Sequence, residues 1–172
     1  LANNEGFQQF VESGGRFVHL SNVDNIGATL DPWVVGAHIE GQKPVTVEVT
    51  ARHAGDAGGA PAYHKDKLEI IEGFRFPENF PIESIPVFNT NTMMVNVEAI
   101  KPYPLTWFRA DKIAHGTPVV QFERLMGEVT AFVDAHYLEV PRDSDDSRFF
   151  PIKTPEDLTK FRDAIRARLQ IN

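Results

Sequence analysis

The chain contains no cysteine, so neither a disulfide framework nor a thiolate metal site can be built from it. That absence fits a reducing compartment, and a cytoplasmic protein is expected. Its six histidines, His19, His38, His53, His64, His115 and His136, show neither HxxxH nor HxH spacing, so a local histidine metal site is not expected. Lysine and arginine never gather into a basic stripe. With a net charge of −7 and a pI near 5.3, duplex nucleic acid and anionic membrane are poor partners. No apolar run reaches membrane-spanning length, and the first residues lack the charged, apolar and small-residue regions of a signal peptide. No GxGxxG follows a strand pattern, which argues against an NAD-binding Rossmann unit. Leu1 is not an initiator methionine, and the chain opens as if in the middle of an element, so it is expected to be cut from a longer protein.

What is present suits a folded domain: 172 residues, 42% hydrophobic and 24% charged. Asn3 or Asn4 can cap a first helix carrying Phe7, Phe10 and Val11, ended by Gly14-Gly15. Phe17 to Leu20 reads as a buried central strand, and Pro32 opens a second helix that Gly41 closes. Val45, Val47 and Val49 alternate with Thr46, Glu48 and Thr50, the pattern of a strand with one polar face. Leu68, Ile70 and Ile71 form another strand, and residues 105–113 a further one. Asn91 or Thr92 is expected to cap a helix carrying Met93, Val97 and Ile100. Thr117-Pro118 is expected to start an amphipathic helix with Val119, Phe122, Leu125, Met126, Val129 and Phe132 on one face. Tyr137 to Val140 reads as an edge strand, RDSDDSR as a solvated, mobile loop, and Thr154, Pro155 and Asp157 as the capped start of a last helix. The alternation of elements predicts one α/β domain.

Two polar interruptions of apolar runs stand out. In FVHLSNVDNIGATLD, the strand from Phe17 runs into Asn22, Asp24 and Asn25. Ligands of open α/β sheets bind beyond the carboxyl ends of strands, so a carboxylate flanked by amides there suits a polar substrate or a cation. The same residues also suit mere turn closure. In FNTNT, capping explains one of Asn89, Thr90, Asn91 and Thr92 but not four, and the surplus of amides points to recognition of hydroxyl groups. Gly58-Gly59 can present backbone amides to a sugar or phosphate, or form a plain connection. Lys153 stands one residue before a helix cap, where a surface charge is the simple alternative.

SNVDNIGATLD, the GG loop with KLEIIE beyond it, FNTNTMMVN, VVQFERLMG and SRFFPIKTPEDL together resemble, in this order, the UTP-glucose-1-phosphate uridylyltransferase family over roughly residues 5 to 160. The resemblance implies a three-layer, mixed-sheet nucleotide-diphospho-sugar transferase fold, Rossmann-like and incomplete here, because the family's L-x-G-G-x-G-T nucleotide loop belongs upstream of Leu1. The 172 residues alone are therefore expected to be inactive. It implies UTP and glucose 1-phosphate as substrates and Mg²⁺ as cofactor, and leaves room for an oligomer. It matches Asn22 and Asp24 to the family's N-x-D-N turn, with Asn22 substrate-binding and Asp24 near the phosphates as metal ligand; it places Gly59, Glu72, Asn89 and Asn91 against the glucose, and Lys153 on the phosphates. Ala57, where the family usually has lysine, and Thr92, where it usually has asparagine, open one alternative, a pyrophosphorylase for another sugar such as N-acetylglucosamine 1-phosphate, and the missing nucleotide loop opens a second, a non-catalytic relative.

Overall fold

Strand β2 (Val45–Ala51) is buried at every residue through Thr50, because it lies between two neighbours and beneath packing on both faces. The structure, a computed structural model, describes residues 1–56 and 58–169. Four strands form one mixed sheet: β1 (Phe17–Leu20), β5 (Val87–Asn96), β2 and β8 (Ala135–Glu139), in that spatial order. β5 runs antiparallel to both β1 and β2, and β8 runs parallel to β2. Two hairpins stand outside this sheet, β3 (Ala60–His64) with β4 (Lys67–Ile71) and β6 (Phe108–Ala114) with β7 (Thr117–Glu123). Helices are α1 (Glu5–Glu12), α2 (Pro32–Gly41), α3 (Pro155–Lys160) and α4 (Arg162–Leu169). Among the described residues, no helix is long and apolar enough to cross a membrane.

Side chains alternate across a strand, so the sheet has two different faces. One carries Val45, Val47, Met93 and Val95, packed with Ile70, Leu20, Met126 and Val129. Burial of each such side chain contributes roughly 1.5–3 kcal/mol. The opposite face carries Thr46, Glu48 and Thr92, with His19 from β1, and α2 covers part of it by setting His38 between Thr46 Oγ1 (2.7 Å) and Asn96 Oδ1 (2.8 Å). Burial pushes the His38 imidazole below its ordinary pKa, so it sits there as a neutral hydrogen-bonding group. The expected alternation of β2 therefore holds, but its polar face is enclosed and not solvated.

Four expectations are corrected. β1 is an edge strand and only half-buried, because among the described residues no strand pairs with its outer side. Residues 91–96 form no helix, and only a short 3-10 turn, Val97–Ala99, follows them: Met93 to Val95 pair within β5 to both β1 and β2, and that double pairing outweighs the local capping chemistry of Asn91 and Thr92. The helix expected from Thr117 is instead β7 followed by a short 3-10 stretch, Met126–Ala131. His115 and Gly116 both have positive φ (50° and 78°), the two-residue turn whose twist matches a hairpin, and it folds Val119, Val120 and Phe122 back onto β6. Finally, the acidic loop is not wholly solvated, because Ser147 and Arg148 at its end are buried. The capped last helix is present with a full capping box at Thr154 and Asp157, but is divided after Lys160 into α3 and α4.

Candidate functional site

Asn25 brings the two distant charged segments together. Its Oδ1 accepts from the N–H of Phe150 (2.7 Å) and of Gly27 (3.2 Å), while its Nδ2 donates to the carbonyl of Arg148 (3.0 Å). Around it, the Ile26 N–H reaches the Phe150 carbonyl and the Ile152 N–H reaches the Asp24 carbonyl (2.8 Å). The polar turn after β1 is thus zipped to the segment that ends at Lys153. Turn closure and site building are the same act here, since the clip that satisfies Asn25 also sets Asp24 and Lys153 on one cavity.

That cavity has a volume of about 660 Å³ and is lined by Asn22, Asp24, Asn89, Asn91 and Lys153, five of the seven residues expected from sequence. A bulge in β5 supplies the two asparagines. Glu48 of β2 pairs with Thr92, but the next residue, Val49, pairs with Asn89, so extra residues of β5 loop out between them. Asn91 there adopts φ +58°, a left-handed conformation that asparagine tolerates better than most residues. Asn89 Oδ1 accepts from the Asn91 N–H (3.0 Å), and Asn89 Nδ2 donates to Asn91 Oδ1 (2.8 Å). The bulge aims two amides into the cavity in fixed relation.

Gly59 and Glu72 lie behind the wall and not on it. The Gly59 carbonyl accepts from the Asn89 N–H (2.7 Å), and the Gly59 amide lies beside the Glu72 carboxylate, so the residue is turned to protein neighbours. A Cβ on Gly59 would come to 2.9 Å from the Ile71 carbonyl oxygen, so glycine is required by the approach of β3 to β4. Burial pushes the Glu72 carboxyl up, against the stabilising effect of that amide. Gly58 does line the cavity, packed against the Phe88 ring. Thr92 is fully buried opposite Glu48 and does not line it, while Ala57 lies outside the described residues.

Three carboxylates face the cavity, and two are already engaged. Asp157 accepts from the amides of Lys153 and Thr154 (3.0 Å each), and Asp56 is held bidentately by Arg142 (2.6 and 3.0 Å). Among the described residues, the half-buried Asp24 carboxylate has no ion-pair partner and neither does the exposed Lys153 ammonium. These are the two charges left to meet a ligand.

Arg142 and Asp56 escaped the sequence reading. Arg142 lies over the rings of Phe88 (4.9 Å) and Phe149 (5.4 Å) and also donates to the Ala51 carbonyl (2.6 Å), strapping the glycine loop to the exit of β8. The available signal was an arginine next to Val140-Pro141, at the apolar edge of an otherwise acidic run. The guanidinium holds the Asp56 carboxyl below the ordinary carboxylate range, outweighing the opposite push of burial. A depressed folded pKa means stability that is complete above the ordinary aspartate value of about 3.9 and lost as pH falls through the folded value. Asp56→Asn is expected to cost about 2 kcal/mol at neutral pH. In thermal melts against pH, the gap to wild type should close below about pH 4; a gap that stays constant would refute the coupling.

The fold, a mixed sheet with helices beside it and a carboxylate, a lysine and fixed amides converging beyond its strand ends, is nucleotidyltransferase-like. The solved structures agree: a mutant UDP-glucose pyrophosphorylase from Leishmania major shares 29% identity at a TM-score of 0.71, covering 92% of this chain and 39% of that one. Another mutant of the Leishmania major enzyme, solved in complex with UDP-Glc, matches at 28% identity and a TM-score of 0.67, with the same coverage. The curated UTP-glucose-1-phosphate uridylyltransferase of Musa acuminata is 29% identical over 171 residues, 92% of this chain and 36% of its own length. The profile of the UTP-glucose-1-phosphate uridylyltransferase family matches residues 1–166, and the chain belongs to that family. It spans a little over a third of the length of the curated relatives it matches.

Proposed function

We propose that the full-length protein transfers a uridylyl group from UTP to glucose 1-phosphate, and that the cavity holds the sugar phosphate and the reacting phosphates. The observation that carries this reading is the convergence of Asp24, Lys153, Asn22, Asn89 and Asn91 on one cavity from three separate stretches of chain. In the reaction, a phosphate oxygen of glucose 1-phosphate attacks the α-phosphorus of UTP in line, the bond to the β-phosphate oxygen breaks, and pyrophosphate leaves. No covalent protein group is needed, so the protein contributes position and charge. Lys153 offsets negative charge on the phosphates. Asn89 and Asn91, fixed by the bulge, donate and accept directional hydrogen bonds from sugar hydroxyls. Gly59 shapes that wall from behind by seating Asn89, and the Glu72 carboxylate lies beside Gly59.

The donor set fits Mg²⁺. The cavity offers oxygen ligands and no imidazole or thiolate, and no group of three His, Cys, Asp or Glu side chains able to cage a metal occurs among the described residues. Mg²⁺ typically takes one or two carboxylates and completes its octahedron with water and substrate phosphates. Asp24 would hold it, and the ion supplies Lewis-acid neutralisation of phosphate oxygens when bound. Asp24→Asn is expected to raise the Mg²⁺ concentration for half-maximal turnover by about tenfold or more. An unchanged Mg²⁺ titration would remove Asp24 from that role. The cysteine-free composition supports a cytoplasmic location.

The test is pyrophosphate release by the full-length protein with UTP and Mg²⁺, comparing glucose 1-phosphate with N-acetylglucosamine 1-phosphate. Preferential turnover of glucose 1-phosphate is expected. No release with either sugar would overturn the assignment.

A further inference from the structure

The polar face of the sheet holds a charge pair that the chemistry above does not use. Glu48 is 1% exposed and Arg148 is 6% exposed. They pair bidentately, Nε to Oε2 at 2.8 Å and Nη2 to Oε1 at 2.7 Å, and Nη2 also donates to the Thr29 carbonyl (2.9 Å). Stability is a weak reason for such a pair, because well-packed apolar side chains in the same space commonly do as well or better. Its geometry offers a stronger one.

Arg148 begins the segment that ends at Lys153. Its own carbonyl takes the Asn25 side chain, Phe150 gives its N–H to the same side chain, and Ile152 gives its N–H to the Asp24 carbonyl. Thr29, the guanidinium's other partner, lies at the far end of the turn that carries Asp24. His19, at the strand end entering that turn, brings its Nε2 to 4.0 Å from Glu48 Oε1. Between Ser21 and Asp31 the only ladder contact among the described residues is the isolated bridge of Asn25 with Pro151. Neither charged segment therefore has a sheet of its own to fix it. Beside the Asn25 clip, the Glu48 carboxylate of β2 ties both to the sheet, through the Arg148 guanidinium and its bond to Thr29.

We propose that Arg148, gripped by Glu48, is a positioning residue that sets Lys153 and Asp24 on the same wall of the cavity. The geometric part stands by itself, and the catalytic consequence rests on the uridylyltransferase reading above.

Two measurements on the full-length protein test it. In Arg148→Lys, amide hydrogen exchange at Ile26, Phe150 and Ile152 is expected to quicken about tenfold or more, while β2 and β5 exchange as in wild type. Unchanged exchange at those three amides would overturn the proposal. In a double-mutant cycle, R148K alone should lower kcat about tenfold, yet add less than about a twofold loss when combined with K153A, because it acts through Lys153. Losses that multiply independently would overturn the catalytic part. If R148K does not fold, E48M/R148M removes both charges together and carries the same two expectations. Absence of pyrophosphate release by the wild-type protein would sink the uridylyltransferase reading alone, and the exchange result would then decide the positioning.

Discussion

Lys153→Ala in the full-length protein is expected to lower kcat for uridylyl transfer by roughly a hundredfold or more, with almost no change in thermal stability. Both halves follow from its surroundings. The side chain is exposed and, among the described residues, no carboxylate claims its ammonium, so its removal leaves no buried group unsatisfied. Substitutions of that kind usually stay within about 0.5 kcal/mol of wild type. The rate is another matter. Phosphoryl-type transfer depends on preorganised positive charge at the phosphates, and losing one such group typically costs about 10²–10³ in kcat. Steady-state kinetics beside a melting curve settles the point. Wild-type turnover would take Lys153 out of the site, and a large loss of stability would make the kinetic result structural.

Glu48→Ala is expected to act on stability as well as rate: a stability loss of about 3–5 kcal/mol from leaving the Arg148 guanidinium buried without its partner. The carboxylate is 1% exposed and accepts two hydrogen bonds from Arg148, so the guanidinium has no comparable acceptor to turn to. In a domain of this size that loss corresponds to a fall in Tm of roughly 10 °C. A shift of under about 2 °C would show that water or a rearranged Arg148 replaces the carboxylate, and would weaken the view of β2 as an anchor. Comparison with E48M/R148M separates the penalty of an unpaired charge from the value of the pair.

Local signals were legible where local physics decides. The Asn4 cap, Pro32 at the start of α2, the capping box of Thr154 and strand β4 are all set by residues within a few positions of one another. The expected helices at Met93 and Val119 failed for the same reason in reverse. Cap-like residues and a 3.6-residue spacing were present, but pairing with distant strands in one case and a positive-φ turn in the other decided the outcome. Residues of the cavity that were missed, Arg142 and Asp56, carry no motif; they become visible only when a loop after β2 and a loop after β8 meet.

By itself, the sequence determined which chemical groups were available: no thiolate, no histidine cluster, a few uncommitted amides, one carboxylate in a strand-end turn and one lysine beside a cap. It also determined, through the order of five blocks, which family those groups belong to. Only the tertiary structure decided which of them share a cavity. Gly59 and Glu72 are as close to that order as Asn89 is, yet their hydrogen bonds turn inward, whereas a bulge turns the asparagines out. Side-chain direction at such points depends on partners far along the chain, and a strand pattern with a period of two says nothing about which face those partners will cover.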